Sequence, residues 1–234
     1  MAELSSTASI ESALEQAILS TRSDRRQPPA DGYASFWMSS LGRCPRYQLA
    51  QRAGLPPTIP MNRRVQFKLW TGEYLGKGIQ NLLELQGFLD PAWREKPVSY
   101  RSYSGKVDGL THRINGQAIV ELKTVDDNAV TRHGDLPEHY LWQGFGYCLA
   151  ANIPTLVIFL IGKNQGLAKH QVFHLTEDWR KRLEQEITKM EDLWVIWQGT
   201  KTLIQCSHRF KWEDRWCPHQ ENPNAVNKED YDAH

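Results

Sequence analysis

With 234 residues, 40% of them apolar and 24% charged, and a formal charge of +1, the chain has the make-up of a soluble globular protein holding one substantial domain with appendages. The near-neutral balance excludes a uniformly cationic nucleic-acid binder, so any phosphate surface must be a local basic patch. The longest apolar run, Leu156 to Ile161, is too short to span a bilayer, and the first residues lack the basic and apolar stretches of a secretory signal. A cytoplasmic protein with reduced cysteines and no membrane partner is the expectation.

Residues 1–32 turn from Ser, Ala and Thr to Arg, Pro and Asp, and read as a flexible tail with a Pro-containing linker. Ile10, Leu14 and Ile18 recur at helical spacing there, but nothing nearby obliges them to pack. From Phe36 the chain becomes compact. Pro45 suits a first helical position, and a helix from there runs to about Ala53, stopped by Gly54, Pro56 and Pro57. Arg43, Arg46, Arg52, Arg63, Arg64 and Lys68 flank it, either as a phosphate-tracking surface or as a solvated helix face. A second helix covers Val65 to Gln86. Its glycines, Gly72, Gly76 and Gly78, each cost roughly 1 kcal/mol against Ala, which calls for close approach of another backbone or of a phosphate.

A strand over Lys96 to Ser102 precedes a β-hairpin. Asn115-Gly116 is a strong signal for a two-residue type I′ turn, since both central residues need positive φ. Counting outward from it, Ile114 faces Gln117, Leu110 faces Glu121 and Asp108 faces Lys123. The two-residue period then puts Asp108, Leu110, Glu121 and Lys123 on one face and Ala118, Val120 and Leu122 on the other, which suits a core. Asp108 and Glu121 become diagonal neighbours within reach of one hard cation such as Mg²⁺ or Mn²⁺. On the hairpin alone, a solvated surface ion pair is the plainer reading.

A polar loop, Val125 to Asp135, leads to a helix start at Asp135-Leu136-Pro137-Glu138, with Asp135 as the cap. That helix carries Gln143 and Tyr147 one turn apart on one face and is closed by Asn152-Ile153-Pro154. Thr155 to Ile161 reads as a central buried strand, with Ala168 to Leu175 as its partner. A long amphipathic helix then runs from Thr176 to about Trp197, with Leu183, Ile187, Met190, Leu193 and Trp194 inward. The order gives an α/β fold, a mixed central β-sheet flanked by helices. Its boundaries are a flexible tail at 1–32, one domain at 33–200 and a partly disordered extension at 201–234.

Four elements taken together in this order resemble the PD-(D/E)XK nuclease superfamily. They are the Gly-studded helix at Gly76-Lys77-Gly78-Ile79-Gln80, the Asp of Gly105-Lys106-Val107-Asp108, the Glu-x-Lys of Glu121-Leu122-Lys123, and the Gln-x-x-x-Tyr of Gln143 to Tyr147. The resemblance is to its RecB-like branch, which includes lambda-exonuclease-like enzymes and nucleases of CRISPR adaptation, and it covers roughly Phe36 to Trp197. It implies a restriction-endonuclease-like core and a Mg²⁺- or Mn²⁺-dependent deoxyribonuclease, an exonuclease or end-processing enzyme of recombination, repair or phage-type DNA metabolism, with DNA and repair or recombination proteins as partners. It assigns Asp108, Glu121 and the Leu122 carbonyl to the metal, Lys123 to the attacking water, and Gln143 and Tyr147 to support of substrate or lysine. Arg43, Arg46, Arg63, Arg64 and Lys68 would then be the DNA-binding residues.

Two departures stand out. Family members often place a His or Glu on the first helix as a further metal ligand, and Gln80 occupies that position, with Glu73 or Glu84 as substitutes one turn or so away. Gln80 therefore also admits a second reading, a non-catalytic DNA-binding or assembly module with a weakened site. Some members bind a [4Fe-4S] cluster through one Cys before the first helix and three near the C-terminus. Cys44, Cys206 and Cys217 fall in those regions, a third C-terminal Cys is absent, and Cys148 reads as a small core residue. A cluster, a zinc ion with His208 or His219 as fourth ligand, or a former site now held by Trp212 and Trp216 all remain open.

Overall fold

A single interrupted strand joins two sheets. In the computed structural model, which describes residues 35–59, 63–114, 116–131 and 136–219, Tyr103–Val107 (β3) and Gly109–Thr111 (β4) are separated only by Asp108. Upstream of that residue the chain pairs with Lys96–Tyr100 (β2) and with Phe36–Trp37 (β1), in the order β1-β3-β2. Downstream it enters a second sheet with Ala118–Val125 (β5), Thr155–Gly162 (β6) and Ala168–His174 (β7), in the order β4-β5-β6-β7. The β5–β6 pair is parallel and its neighbours are antiparallel, so the sheet is mixed as expected. The tails expected at residues 1–32 and from Asn222 onward lie outside the described residues, as does Asn115.

The helices are Pro45–Arg52 (α1), Arg63–Leu85 (α2), the short Asp127–Thr131 (α3), Glu138–Ala151 (α4), Glu177–Thr200 (α5) and the single turn Glu213–Trp216 (α6). Pro45 opens α1 at its first position, where the missing N–H costs nothing. Thr176 caps α5 by accepting from the Trp179 N–H at 3.3 Å, satisfying one of the unpaired donors of the first turn. The start of α4 differs from expectation. Pro137 holds the cap position without a side-chain acceptor, while Asp135 lies outside the described residues. The polar loop before it also contains α3. There Asp127 Oδ1 accepts from the backbone N–H groups of Asn164 and Gln165 and so ties the loop to the β6–β7 turn.

The hairpin register is displaced by two residues from the sequence expectation. Leu110 pairs with Ile119 and Thr111 with Ala118, so the connection spans residues 112–117 instead of a two-residue turn. The chain leaves the ladder early because its own side chains offer other partners. Thr111 Oγ1 accepts from the Arg113 N–H at 3.2 Å, and Arg113 Nε donates to the Gly87 carbonyl at 3.1 Å, drawing this stretch toward the end of α2. A shift of two preserves the facing of every side chain, whereas a shift of one would have reversed it.

Both faces of the second sheet are covered. On one, Leu110, Ile119, Leu156, Ile158 and Leu160 pack with Trp142 and Phe145 of α4 and with Leu183, Ile187 and Met190 of α5. On the other, Ala118, Val120 and Val157 meet Leu83, Phe88 and Leu89 near the end of α2. The continuous apolar run of β6 is thus a strand buried on two sides. The α4 face is anchored from the N-terminal side as well, where Gly42 adopts φ +79 beside the buried ring of Trp142.

A Cβ at Gly42 would lie 2.5 Å from Trp142 Cδ2 in a backbone conformation that L-residues disfavour. Gly42→Ala should therefore destabilise the fold by about 2–4 kcal/mol, the sum of left-handed strain and overpacking. Urea unfolding with an unchanged slope measures this, and a loss below about 0.5 kcal/mol would mean that the ring yields freely.

Candidate active site

Because the strand breaks at Asp108, the Leu122 backbone N–H on that side of β5 has no ladder partner. Asp108 Oδ2 accepts it at 2.7 Å, so the side chain replaces the missing backbone acceptor and is itself held against β5. One residue to each side of Leu122, Glu121 and Lys123 point to the same face of β5 as Asp108. Glu121 is 2% exposed, which overturns the plainer reading of a solvated hairpin face.

A compact network holds these groups. Lys123 Nζ lies 2.6 Å from Glu121 Oε1 and donates to Gln143 Oε1 at 2.8 Å. Gln143 Nε2 donates to Glu121 Oε1 at 2.8 Å and to the Tyr147 hydroxyl at 3.4 Å. An ammonium on one side and a carboxylate on the other fix the orientation of the Gln143 amide. Tyr147 can approach because Gly105 lies beside it, where a Cβ would stand 2.8 Å from Tyr147 Cε1. The sequence-identified Asp108, Glu121, Lys123, Gln143 and Tyr147 are thereby brought together from β3/β4, β5 and α4.

Gln80 joins them from α2. Its Nε2 donates to the Asp108 carbonyl at 3.0 Å and to Glu95 Oε1 at 3.2 Å. Two acceptors on that side identify the nitrogen, which leaves Oε1 as the other end of the amide, buried and without a partner. Glu121 Oε2 is likewise buried and unpartnered. Glu73 lines the same cleft with its carboxylate 3.1 Å from Lys77, while Glu84 turns to Arg94 at 3.4 Å. The cleft has a volume of about 680 Å³, and Trp37, Gly76, Lys106 and Thr124 also line it. Gly72 and Gly76 explain themselves differently. A Cβ on Gly72 would meet Thr124 Oγ1 at 2.8 Å, whereas one on Gly76 would project into open space.

Glu95 was not identified from the sequence. It follows Trp93-Arg94 in an irregular connection with no periodicity to read, and its φ of +49 marks it only once the backbone is seen. Lys77 and Lys106, the cations lining the cleft, were also passed over as phosphate contacts in favour of an arginine cluster that the structure disperses. Arg43 stacks on Tyr47 and Trp212 and pairs with Glu213 at 3.6 Å. Arg46 donates to the carbonyls of Ile204 and His219 at 2.8 and 2.7 Å. Both face the C-terminal segment and not the cleft, because buried backbone carbonyls and a buried carboxylate there need donors. Arg63 is exposed near the start of α2, Lys68 lies one turn further on, and the side chain of Arg64 lies outside the described residues.

Electrostatics follow from the crowding of carboxylates. Burial and the neighbouring Glu121 hold the Asp108 carboxyl well above its usual range, only partly offset by the Leu122 N–H and Lys123. Burial works to discharge Lys123, but Glu121 and Asp108 outweigh it and the net shift is upward. Burial, then Glu121 and Asp108, push Tyr147 upward. His139, beside the lysine in the first turn of α4, is drawn down to about 4 by burial and by the cations Lys123 and Arg43.

The four cysteines divide into two places. Cys148 donates weakly to the Thr155 carbonyl inside the core. Cys44, Cys206 and Cys217 converge with His208 at the start of α1, all four ligand atoms within 4.8 Å of one another. His219, the other fourth ligand considered, instead lies tilted against Tyr47 at 5.9 Å and is not part of that group.

No family model and no curated protein matches the sequence. Solved structures do match by shape. The chain superimposes on the crystal structure of SSO0001 over 89% of its own length and 93% of the other, with a TM-score of 0.56 at 15% identity. It also superimposes on the alkaline exonuclease LHK-Exo from Laribacter hongkongensis over 74% of its length and 95% of the other, with a TM-score of 0.52 at 10% identity. The chain thus shares the mixed α/β fold of these two structures, one of them an alkaline exonuclease. At such identities the likeness speaks to the fold, and the chemistry has to be argued from the side chains in the cleft.

A carboxyl whose pKa is raised on folding stabilises the native state fully below its unfolded value and loses that contribution as pH rises through the folded one. In metal-free protein, Asp108→Asn should therefore raise the melting temperature at pH 7.5, with the gain shrinking as pH falls toward about 4. Calorimetry in EDTA reads this directly. A variant melting below the parent at pH 7.5 would show that repulsion at Asp108 is not a cost the parent carries.

Proposed function

We propose that this chain is a metal-dependent DNA nuclease, an exonuclease or end-processing enzyme. The observation that carries the proposal is the convergence of Asp108, Glu121 and Lys123 beside a cleft lined by Asp108 and Gln80, with two buried oxygens, Glu121 Oε2 and Gln80 Oε1, left without a partner. Unpartnered acceptors beside mutually repelling carboxylates fit a hard divalent cation such as Mg²⁺ or Mn²⁺. Asp108 and Glu121 would hold it, with the Leu122 carbonyl and Gln80 Oε1 as neutral ligands. When bound, the cation would offset charge on the scissile phosphodiester and make hydroxide available near neutral pH.

The side chains account for the remainder. Lys123, charged and fixed between Glu121 and Gln143, is placed to orient the attacking water and to meet charge developing on the phosphate. Gln143 and Tyr147 act through that lysine and Glu121, as positioning residues. Lys77 and Lys106 on the wall of the cleft are suited to phosphates of the strand, and the open space at Gly76 leaves room for the backbone to pass. Exonuclease action on DNA is read from the overall likeness to an alkaline exonuclease together with this site. Mg²⁺ or Mn²⁺ as the cation and a role in recombination or repair belong to the same proposal.

Lys123→Ala and Asp108→Ala should each abolish Mg²⁺-dependent degradation of end-labelled linear DNA, by at least about a thousandfold for a group acting on the transition state. Circular dichroism should report a folded chain in both. Undiminished cleavage by either variant would remove the assignment, and equal cleavage of covalently closed circles would replace exonuclease with endonuclease.

A further inference from the structure

Away from the cleft, the start of α1 and the C-terminal segment meet at a second group of metal-ligand atoms. We propose that Cys44, Cys206, His208 and Cys217 form a closed, mononuclear zinc site that fastens residues 203–219 to the nuclease core. The ligand atoms lie within 4.8 Å of one another although Cys44 is more than 160 residues from the others. Cys44 and Cys217 are buried, at 0% and 1% exposure, and no disulfide joins any of the three cysteines among the described residues.

The histidine supplies an independent observation. Its Nδ1 lies 2.8 Å from Asp214 Oδ1, and a carboxylate can only accept, so Nδ1 carries the proton. Nε2 is then a bare acceptor, and it is buried with no partner. A carboxylate fixing one ring nitrogen, with the other left unpartnered on a ring grouped with three thiols, is the arrangement by which proteins orient a metal-binding imidazole.

The size and composition of the cage decide between metals. Zinc at about 2.3 Å from sulfur and 2.0 Å from nitrogen in a tetrahedron needs its ligands roughly 3.5–3.8 Å apart, which this envelope holds. A [4Fe-4S] cluster must place four irons and four sulfides between its ligands, and it takes four thiolates. Neither requirement is met, since Cys148 is committed elsewhere and His208 takes the fourth corner. The iron–sulfur centre implied by the family resemblance therefore does not fit these residues. A Cys₃His set with no open position is structural, as opposed to catalytic.

The surroundings agree with a fastening role. Glu213, fully buried, accepts from the Cys44 N–H at 2.9 Å through one oxygen and from the Arg209 and Phe210 N–H groups through the other. Arg46 clasps the Ile204 and His219 carbonyls. Chain segments on both sides of the site are thus held in the positions that the metal would require.

Elemental analysis of the full chain, purified without chelator from cells supplied with both zinc and iron, is the test. The expected result is one zinc per chain, negligible iron and acid-labile sulfide, and no absorbance near 400 nm. Exchange into cobalt should give the visible bands of tetrahedral thiolate coordination. Asp214→Ala should weaken zinc binding about tenfold to a hundredfold, and His208→Cys should retain the metal where His208→Ala loses it. Stoichiometric iron with sulfide would overturn the proposal, as would a folded, metal-free chain that takes up neither zinc nor cobalt. These readouts use no nuclease assay, so they stand or fall apart from the cleft.

Discussion

The interruption of one strand at Asp108 is the constraint on which the rest depends. A continuous strand would pair β3 and β4 with a single neighbour and bury the residue between them as an ordinary ladder position. Here the chain changes partner instead, from β2 to β5, and the side chain of Asp108 fills the vacancy with its bond to Leu122. That bond costs the protein a desolvated carboxylate beside Glu121. The core does not reduce this cost, since apolar packing on both faces of β5 only lowers the local dielectric. What remains is a fold that holds two carboxylates at one spot more tightly than its own electrostatics would favour, the condition under which a cation gains affinity.

The single ammonium in the network works from the other direction. Lys123 balances Glu121 Oε1, and Gln143 repeats that balance with an amide dipole, but both act on the same oxygen. Glu121 Oε2 and Gln80 Oε1 are left unsatisfied. Polar groups inside α/β folds are usually satisfied from within, and orphans on two residues that neighbour Asp108 are more informative than any of the carboxylates alone. Gln80 contributes here through what its nitrogen is doing. By donating to Glu95 and to the Asp108 carbonyl it turns its oxygen away from the backbone, so a neutral side chain in place of an acid is still aimed as an acceptor.

Much of this was legible in the sequence because it rests on periodicity. The strands, the long helices and the common face of Asp108, Glu121 and Lys123 follow from alternation and from 3.6-residue spacing, and alternation survives even a misjudged turn, since the register error was an even number. Residues governed by tertiary partners were not legible. Asn115-Gly116 argued for a tight turn, but Thr111 accepts from the Arg113 N–H within the connection and the Arg113 side chain donates to the Gly87 carbonyl outside it. Glu95 carries no pattern because it sits in irregular chain at positive φ. Arg43 and Arg46 look like phosphate ligands by composition, and only the location of Glu213 and of the His219 carbonyl reveals what they serve.

That last case changes the meaning of the C-terminal segment. Read from the sequence, residues 201–234 are a partly disordered extension after a finished domain. In the structure residues 203–219 return across the molecule to the start of α1, where Arg43, Arg46 and Glu213 each join the two segments through buried polar bonds. Arg43 also lies close enough to influence His139 in the first turn of α4, the helix that presents Gln143 to Glu121 and Lys123. Phe210 meets that same imidazole edge-on and Trp212 meets it at a tilt. A contiguous set of packed side chains therefore runs from the cysteine-rich corner to the base of α4. Loosening that corner would reach the cleft through the seating of one helix, without any residue of the corner touching the site.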